Sequence, residues 1–345
     1  MTVLSNRTIA ELLIAYSDDL SEQKAKACRK AARAAYGWPE EAAQLLEEGR
    51  SLTELNRVGP WLATVIKGLF AEVPDDPEPP PPLRSDFITF AEARAIVDAH
   101  PEWSACLKGD LQMHTTYSDG GDSLAEMAFA AAELGHDYIA ITDHSKGLKI
   151  AGGMDEAMLA QQGNEIDAMN DVLEREGKSL RVLRSIEMNI TPDGEGDMEP
   201  EALEALDLVL GSFHSKLRLK EDQTERYVAA LDNPHVDVLG HPQGRVFNFR
   251  MGLSADWARV FAAAAERDKA VEIDCYPDRQ DLRVPLLELA AESGVRISMG
   301  TDSHAAWQLE RIQIGVAAAI LAGIDPERIL NFMPREEIVE WARTN

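Results

Sequence analysis

The stretch Gly109-Asp-Leu-Gln-Met-His-Thr-Thr-Tyr-Ser-Asp-Gly120 begins as an apolar run and ends in polar side chains. Four later runs of the same kind end in a histidine beside an aspartate, serine or proline, namely His144, His214, His241 and His304. Side chains from several strand ends meet at one point only if the strands are parallel and closed, as at the carboxyl face of a β/α barrel. The pattern therefore predicts a barrel with a metal site at that face.

From residue 109 onward, apolar β-prone runs alternate with helical stretches rich in Ala, Leu and Glu. This alternation predicts an α/β fold of parallel strands joined by right-handed helical crossovers. An open sheet would concentrate polar residues at one crevice, whereas nearly every run here ends in Asp, Glu or His, so a barrel is favoured. We expect a distorted (β/α)7 barrel with strands at 109–113, 137–142, 181–187, 207–213, 236–240, 270–274 and 295–300.

The amino-terminal part of the chain differs in character from the predicted barrel. Residues 1–73 are typical of a small domain of short helices, with Ile9, Leu12 and Leu13 on one helix face. A proline-rich stretch at 74–84 favours polyproline II and predicts a semi-rigid linker. Residues 85–345 then form the predicted barrel domain.

Composition limits the possible partners and compartments. The chain has 34 basic and 60 acidic residues and a net charge of −26, which opposes broad electrostatic capture of a nucleic-acid backbone. Cys28, Cys106 and Cys275 are far apart and predict neither a disulfide framework nor a thiolate metal cluster. With no signal-like start and no membrane-length apolar run, we expect a soluble cytoplasmic protein that does not bind membranes.

Six motifs in chain order carry a resemblance to a known family. They are Gly109–Gly120, Ile141-Thr-Asp-His144, Ser185-Ile-Glu-Met-Asn189, Ser212-Phe-His-Ser215, Gly240-His-Pro-Gln-Gly-Arg245 and Met299-Gly-Thr-Asp-Ser-His304. In this order they resemble the PHP family, the polymerase and histidinol phosphatase superfamily, and in particular the PHP domain of bacterial family X DNA polymerases. The resemblance runs from about residue 107 to the end and implies a (β/α)7 barrel with metals at its carboxyl face.

The resemblance also implies a set of metal ligands, with Glu187 bridging two ions. Gln112, His114, Glu187 and Asp302 would hold one metal, Glu187, His214 and His241 a second, and Asp119, His144 and His304 a third. Mixed nitrogen and oxygen ligands suit Zn, Mn or Fe better than Mg or Ca. Because Gln112 replaces the first histidine of the motif with a weak, neutral ligand, we expect two or three divalent ions.

Further residues are predicted to support the ligands or to bind substrate. Asp143 is expected to orient a neighbouring imidazole through its second nitrogen. Arg245 is predicted to bind phosphate bidentately. Lys146, Lys216 and Arg279 also follow strand ends, where they either bind an anionic ligand or are solvated loop charges.

The other histidines and a glycine pair have simpler interpretations. His100, His136 and His235 lie in helical or pre-strand turns, where surface or capping roles are expected. Gly120 and Gly121 lack a complete phosphate-binding motif and indicate a tight turn.

The small domain carries a second resemblance. Ile9–Leu13, Lys24–Arg33 and Leu52–Ile66 resemble the amino-terminal helical domain of family X polymerases, the last of them its helix-hairpin-helix. Arg57 stands where the first glycine of that motif is usual, and only Gly59 remains of the pair. Val65 matches the position of the lyase lysine, so lyase activity is not expected. The basic side chains of 24–33 either meet a DNA backbone or form a solvated helix face.

The leading functional hypothesis is a metal-dependent phosphoesterase acting on nucleic-acid ends or nucleotides, as a 3′–5′ exonuclease or 3′-end-processing enzyme in DNA repair. In it, Glu187 bridges the metals that activate water, Arg245 balances transition-state charge, and Asp302 or His304 carries a proton. One alternative is a small-molecule phosphomonoesterase of the histidinol phosphatase type. The other is a PHP module with a structural rather than a catalytic role.

Overall fold

A computed structural model of the protein describes residues 4–70 and 79–344. Seven parallel strands follow one another in chain order around a barrel. They are β1 (Gly109–Asp110), β2 (Tyr138–Ile141), β3 (Arg181–Asn189), β4 (Leu208–Ser212), β5 (Val238–Gly240), β6 (Ala270–Asp274) and β7 (Arg296–Gly300). The predicted (β/α)7 architecture is therefore confirmed.

The barrel closes between its first and last strands. The Leu111 N–H donates to the Met299 carbonyl at 3.2 Å, and the His114 N–H donates to the Ser303 carbonyl at 2.8 Å. β1 is shorter than predicted because the Met113 N–H donates to the Thr142 hydroxyl at 3.0 Å instead of extending the ladder with β2. The segment after β1 is thereby held between the ends of β2 and β7.

The inner face of the barrel changes from apolar to polar along the strands. In β3, Leu183 lies in the apolar cluster that fills the amino end of the barrel, and Glu187 lies two inward positions further on. Ala270 and Asp274 of β6 show the same change. Side chains alternate between the two faces of a strand, so the outward positions pack under the helices while the carboxyl end of the interior collects polar groups.

Helices surround the strands and close the amino end. They are α5 (Phe90–Asp98), α6 (Pro101–Cys106), α7 (Leu124–Glu133), α8 (Glu156–Arg175), α9 (Pro200–Leu203), α10 (Thr224–Asp232), α11 (Trp257–Glu266), α12 (Val284–Ser293), α13 (Ile312–Ala322) and α14 (Arg335–Thr344). Ile338 and Trp341 of α14 join the inner apolar cluster. The barrel is thus a packed core that is open only at its carboxyl face.

Four further helices precede the barrel: α1 (Asn6–Ser17), α2 (Glu22–Ala35), α3 (Ala42–Glu47) and α4 (Pro60–Leu69). They enclose a second apolar cluster around the buried rings of Tyr36 and Trp38. Phe87 and Phe247, from the barrel part of the chain, belong to the same cluster. The ring centroids of Tyr36 and Phe247 are 4.6 Å apart. The helical segment therefore shares its core with the rim of the barrel.

Polar contacts fix the helical segment to the barrel. The Phe90 N–H donates to the Tyr36 carbonyl at 2.8 Å, and Arg33 of α2 forms an ion pair with the buried carboxylate of Asp278. Of the predicted linker 74–84, residues 74–78 lie outside the described residues. In the described part, Arg84 Nε lies 2.9 Å from Glu11 Oε2 of α1. The predicted domain boundaries stay a prediction.

Among the described helices, none combines the length and apolar character needed to cross a bilayer.

His136 is buried, in contrast to the predicted surface or capping role. Its side chain is 5 % exposed, and its Nε2 has no hydrogen-bond partner within the described parts of the chain. His100 and His235 are only partly buried, and His100 Nδ1 lies 2.8 Å from the Ile96 carbonyl near the end of α5. The sequence did not reveal the difference because the packing around His136 comes from the tertiary fold.

Burial lowers the pKa of His136 to about 4, and this predicts sensitivity to acid. The unfolded chain, with a pKa of about 6.5, takes up the proton first as the pH falls. The free energy of unfolding should therefore decrease below about pH 6.5, by about 2 kcal/mol at roughly pH 5. Urea denaturation of His136→Gln at about pH 7.5 and about pH 5 should show a smaller decrease than wild type.

His235→Gln is the matched control because His235 also precedes a strand but is only partly buried. Effects of acid on other groups are common to all three proteins and cancel in the comparison. An equal loss of stability in wild type and His136→Gln would contradict the prediction.

Candidate metal centre

The barrel brings polar side chains from six of its strand ends to one place. His114 follows β1, His144 follows β2, Glu187 lies within β3, His214 follows β4, His241 follows β5, and Asp302 and His304 follow β7. Asp119 reaches the same place from the loop after β1. Because all strands are parallel, their carboxyl ends share one face, and residues far apart in sequence become neighbours.

Glu187 lies at the centre of this cluster and is fully buried. Its Oε1 is 2.6 Å from His241 Nε2 and 3.1 Å from His214 Nε2. Its Oε2 is 3.1 Å from His144 Nδ1 and 3.4 Å from His114 Nε2. Burial alone would raise the pKa of Glu187, but the surrounding imidazoles hold it well below its ordinary value. Each carboxylate oxygen thus faces a different pair of histidines.

Asp302 forms a second part of the cluster. Its Oδ1 is 2.9 Å from His114 Nε2, and its Oδ2 contacts the guanidinium of Arg279. Although burial opposes ionisation, Arg279 and His114 hold the pKa of Asp302 far below its ordinary value. Asp302 has a φ of 50°, in the left-handed region that is unfavourable for most side chains. This backbone is fixed by the Asp302 N–H, which donates to the Gln112 carbonyl at 3.0 Å.

The outer part of the cluster contains Asp119, His144 and His304. Asp119 Oδ1 is 3.3 Å from His304 Nε2 and 3.6 Å from His144 Nε2. His304 Nδ1 lies 2.8 Å from the Asp302 carbonyl, a contact that fixes a proton on Nδ1 and turns Nε2 toward Asp119. Burial opposes the charge on His304, but Asp119 and Asp302 raise its pKa to about 9. Burial lowers the pKa of His144 to about 3, so its imidazole is neutral. Neutral imidazoles are the form that binds metal.

The donor atoms of the cluster fit divalent cations. Those of His114, His144 and His304 lie within 4.8 Å of one another, and so do those of His144, Glu187 and His214. Over the described chain, the buried atoms His114 Nε2, His144 Nδ1 and Glu187 Oε2 lie within 3.4 Å of polar atoms of the cluster but make no hydrogen bond of good geometry. Coordination to a cation would satisfy all three. His144 belongs to both groups, whereas the sequence interpretation assigned it to one metal only.

A layer of buried carboxylates beneath the cluster was missed by the sequence interpretation. Glu272 and Asp274 of β6 are fully buried. Glu272 Oε2 accepts from the His241 N–H at 2.7 Å, and burial raises the pKa of Glu272 well above its ordinary value. The signal was present, because both acids alternate with Val271 and Ile273 and so point into the barrel.

Gln112, predicted as a weak ligand, lies against this carboxylate layer. With its amide nitrogen toward Glu272, it donates to Glu272 Oε1 at 2.8 Å. A Cβ at Gly300 would collide with both Gln112 and Glu272, so glycine is needed for this close approach. The amide nitrogen of Gln112 is therefore used in holding Glu272, which in turn holds the backbone of His241.

Asp143 does not orient an imidazole, contrary to prediction. Its carboxylate accepts hydrogen bonds from the Thr115 N–H at 2.8 Å, the Thr115 hydroxyl at 2.6 Å, the Ser118 hydroxyl at 2.5 Å and the Gln162 amide at 2.6 Å. These four donors occupy both of its oxygens. Asp143 instead fixes the loop that follows β1 and that carries Asp119.

The predicted phosphate-binding residues are separated by the fold. Arg245 is buried, its Nη2 donates to the Ser85 carbonyl at 2.8 Å, and its guanidinium lies 3.7 Å from the centre of the Phe87 ring. These contacts hold one side of the guanidinium, whereas its buried Nη1 has no hydrogen-bond partner among the described residues, so phosphate binding by Arg245 stays a prediction. The contacts were not foreseeable because Ser85 and Phe87 are about 160 residues away in sequence.

The other three basic residues also differ from one another. Lys146 Nζ is 2.5 Å from Glu156 Oε1, and Lys216 is exposed and does not line the cavity above the cluster. Arg279 lines this cavity and contacts Asp302. Of the four predicted residues, only Arg245 and Arg279 border the cavity.

The cavity above the cluster has a volume of about 550 Å³. Its floor includes His144, His214, His241 and His304. Its lining also contains four arginines, two carboxylates and apolar side chains such as Ile150 and Phe249; the charged residues are Arg33, Arg245, Arg250, Arg279, Asp119 and Asp281. Arg33 comes from the helical segment, so that segment contributes to the site. The arrangement suits an anionic substrate with an apolar or aromatic portion.

Comparisons with known proteins point to one family. A family model described as PHP domain matches residues 110–274. The chain is 38% identical over 240 residues to the DNA polymerase/3′-5′ exonuclease PolX of Bacillus subtilis, covering 69% of this chain and 41% of that protein. It is 33% identical over 212 residues to a probable phosphatase of Acetivibrio thermocellus, covering 59% of this chain and 81% of that protein.

The chain also resembles a solved structure of histidinol phosphate phosphatase from Lactococcus lactis, which was complexed with zinc, L-histidinol and phosphate. The match covers 63% of this chain and 94% of that one, with 17% sequence identity and a TM-score of 0.45. The chain spans less than half the length of the B. subtilis relative and most of the A. thermocellus one. From the family match and these relatives, the chain belongs to the PHP domain family.

Proposed function

We propose that this protein, a metal-dependent hydrolase of the PHP domain family, cleaves phosphodiester bonds at the ends of nucleic acids or in nucleotides. The observation that carries the proposal is the buried Glu187 with its four imidazoles, which lie beneath a cavity that four arginines help to line. The 38% identity to a relative named as a DNA polymerase/3′-5′ exonuclease supports the choice of nucleic acid.

The cluster would hold two or three divalent ions, with Zn, Mn or Fe favoured by the mixed donors. The residues that would bind them are His114, Asp119, His144, Glu187, His214, His241, Asp302 and His304, with Gln112 at the margin. When bound, the ions would supply an activated water nucleophile and neutralise charge on the phosphate. Glu187 would link two metal positions, because its Oε1 faces His214 and His241 while its Oε2 faces His144 and His114.

Asp302 and His304 are the two candidates for proton transfer. Arg279 and His114 keep Asp302 ionised, which suits this carboxylate to binding a cation. The same contacts make it a weak proton acceptor, because a general base needs a pKa near the working pH. Arg279 holds this carboxylate in place and adds positive charge beside the reacting phosphate.

A small-molecule phosphomonoesterase is the second candidate. It is favoured by the relatives named probable phosphatase, of which the chain covers 81% and 89%. Two apolar residues that line the cavity, Ile150 and Phe249, distinguish the two candidate functions. Their side chains would contact a nucleobase but not a small polar ester. A purely structural module is opposed by the buried, unpaired donor atoms of the cluster.

Protein purified without chelator should contain bound transition metal and release mononucleotides from a labelled single-stranded oligonucleotide. The measurement is metal content by mass spectrometry, followed by product analysis on the oligonucleotide and on p-nitrophenyl phosphate, with manganese or zinc. Cleavage of the monoester alone would favour the second candidate. Absence of both metal and activity would leave only the structural module.

Glu187→Gln should lose most of its bound metal, because the bridging carboxylate becomes a neutral amide whose NH2 group cannot bind a cation. We expect kcat to fall by more than about 100-fold, the upper range for disturbing even the supporting residues of a metal site. The control is Glu292→Gln, an exposed glutamate on α12, which should keep both metal and activity. Full metal content in Glu187→Gln would refute the assignment.

Arg245 and Arg279 are predicted to respond differently to the same change. Arg245→Gln should lower the free energy of unfolding by about 1–3 kcal/mol, because contacts to Ser85 and Phe87 are lost from a buried site. Arg279→Gln should lower kcat by at least about tenfold, because Asp302 loses its partner. Thermal denaturation and steady-state kinetics of both variants test this. A large loss of kcat in Arg245→Gln with unchanged stability would contradict it.

A further inference from the structure

A second cavity, of about 360 Å³, lies where the helical segment meets the barrel. We call it the interdomain cleft. One side is formed by Lys30, Arg33 and Arg57 of the helical segment, and the other by Tyr276, Asp278 and Arg311 of the barrel. The residues that line the cleft are mostly polar or charged, and none of them is a predicted metal ligand.

The interdomain cleft is cationic in a strongly acidic protein. Its lining has four basic side chains and one carboxylate, whereas the whole chain has a net charge of −26. The carboxylate, Asp278, is already paired with Arg33. In the parts of the chain that the structure describes, Lys30, Arg57 and Arg311 form no ion pair. Like charges held together without partners repel one another, so the cleft is suited to an anion that neutralises them.

Arg311 gives this cleft the character of a built site. Its side chain is 8 % exposed, and its Nη1 has no hydrogen-bond partner among the described residues. The guanidinium lies 4.8 Å from the ring centre of Tyr276 and 4.7 Å from that of Trp307. The Tyr276 side chain also forms a hydrogen bond with the guanidinium, so Nη1 is the atom that lacks an acceptor. A buried N–H without an acceptor is costly, and an anionic oxygen in the cleft would remove that cost.

Arg57 is placed in the cleft against a local conformational preference. Its φ is 66°, in the left-handed region where glycine is the ordinary residue. A long cationic side chain at such a position costs backbone strain. The strain is understandable if the charge is needed at the cleft, toward which the turn before α4 directs it.

The interdomain cleft lies next to the cavity of the candidate metal centre. Arg33 lines both the cleft and the larger cavity above Glu187. The ring of Tyr276 lies 6.5 Å from that of His304, and the Tyr276 N–H donates to Asp274 at 2.7 Å. An extended anion could therefore reach from the floor of the larger cavity into the cleft. Trp307, which is 65 % exposed beside Arg311, offers a free aromatic face at that end.

We propose that the interdomain cleft binds the phosphodiester backbone of a single polynucleotide strand whose terminal linkage lies at the metal centre, with a base stacked on Trp307. Cationic grooves flanked by exposed aromatic rings are how proteins hold single strands without reading their sequence. The inference rests on the proposed function and adds that the helical segment supplies part of the substrate site.

The test uses the double variant Lys30→Gln/Arg57→Gly in the metal-loaded, full-length protein. Glycine suits a φ of 66°, so this change removes charge and relieves strain at the same time. KM for oligothymidylate of about ten nucleotides should rise by about tenfold or more. The slope of log KM against log salt concentration should fall by about 1.4, because each of the two lost phosphate contacts accounts for about 0.7. KM and kcat for bis(p-nitrophenyl) phosphate, which cannot reach the cleft, should not change.

Lys67→Gln/Lys178→Gln is the matched control, since both lysines are exposed and neither lines the cleft. Lys178 lies at the amino end of β3, on the face opposite the metal centre. Trp307→Ala should raise KM for the oligonucleotide several-fold without changing its salt dependence, because stacking is not ionic.

Wild-type oligonucleotide kinetics in Lys30→Gln/Arg57→Gly, or the same increase in KM in the control, would overturn the proposal while leaving the proposed function intact. If the wild-type protein cleaves only the phosphomonoester, the proposed function fails first. If it cleaves bis(p-nitrophenyl) phosphate but no oligonucleotide, the metal centre stands and the cleft proposal is rejected.

Discussion

The burial of Glu187 is the constraint on which the site depends. A carboxylate without solvent is stable as an anion only if positive or hydrogen-bonding groups surround it. Here the imidazoles of four strand ends do so, with the nearest nitrogen 2.6 Å away. Four parallel strand ends can deliver side chains to one carboxylate only at the carboxyl face of a closed barrel. The buried carboxylate therefore depends on barrel closure, because closure brings the four histidines around it.

The interior beneath Glu187 shows how a barrel carries charge without losing its core. Apolar side chains such as Leu183 and Leu210 fill the amino end, and Trp341 helps to close it. Above them, Glu272 binds the backbone of His241 and the amide of Gln112. Burial raises the pKa of Glu272, so this layer holds the protonated form more readily than Glu187 does. Two neighbouring carboxylates thus differ in charge because their partners differ.

The helical segment completes the mouth of the barrel. Its core is continuous with Phe87 and Phe247, and its α2 contributes Arg33 to the wall of the larger cavity. Arg245 stabilises the same junction by packing against Phe87. Several basic residues therefore line the two cavities where the helical segment meets the barrel, in a chain with a net charge of −26. Their charge favours an anion there, whereas the net charge of the whole chain opposes one.

Much of the fold was determined by the sequence alone. The alternation of apolar runs and helical stretches gave seven strands in parallel order, and the polar residues at their ends gave the histidines around Glu187. These features are local, because strand periodicity and the position of a strand end depend on neighbouring residues. Asp119, Asp302 and His304 were identified as ligands through the resemblance of their motifs to the PHP family, and the structure places Asp119 beside His304 and Asp302 beside His114.

Only the tertiary structure decided which partners the other polar groups have. Arg245 follows a strand end just as Arg279 does, yet one is covered by Phe87 and the other faces Asp302. Asp143 stands beside His144 in sequence but binds the loop after β1. The cleft between Arg57 and Arg311 joins residues more than 250 positions apart. Such contacts depend on how elements pack, and periodicity in the sequence carries no information about packing between distant segments.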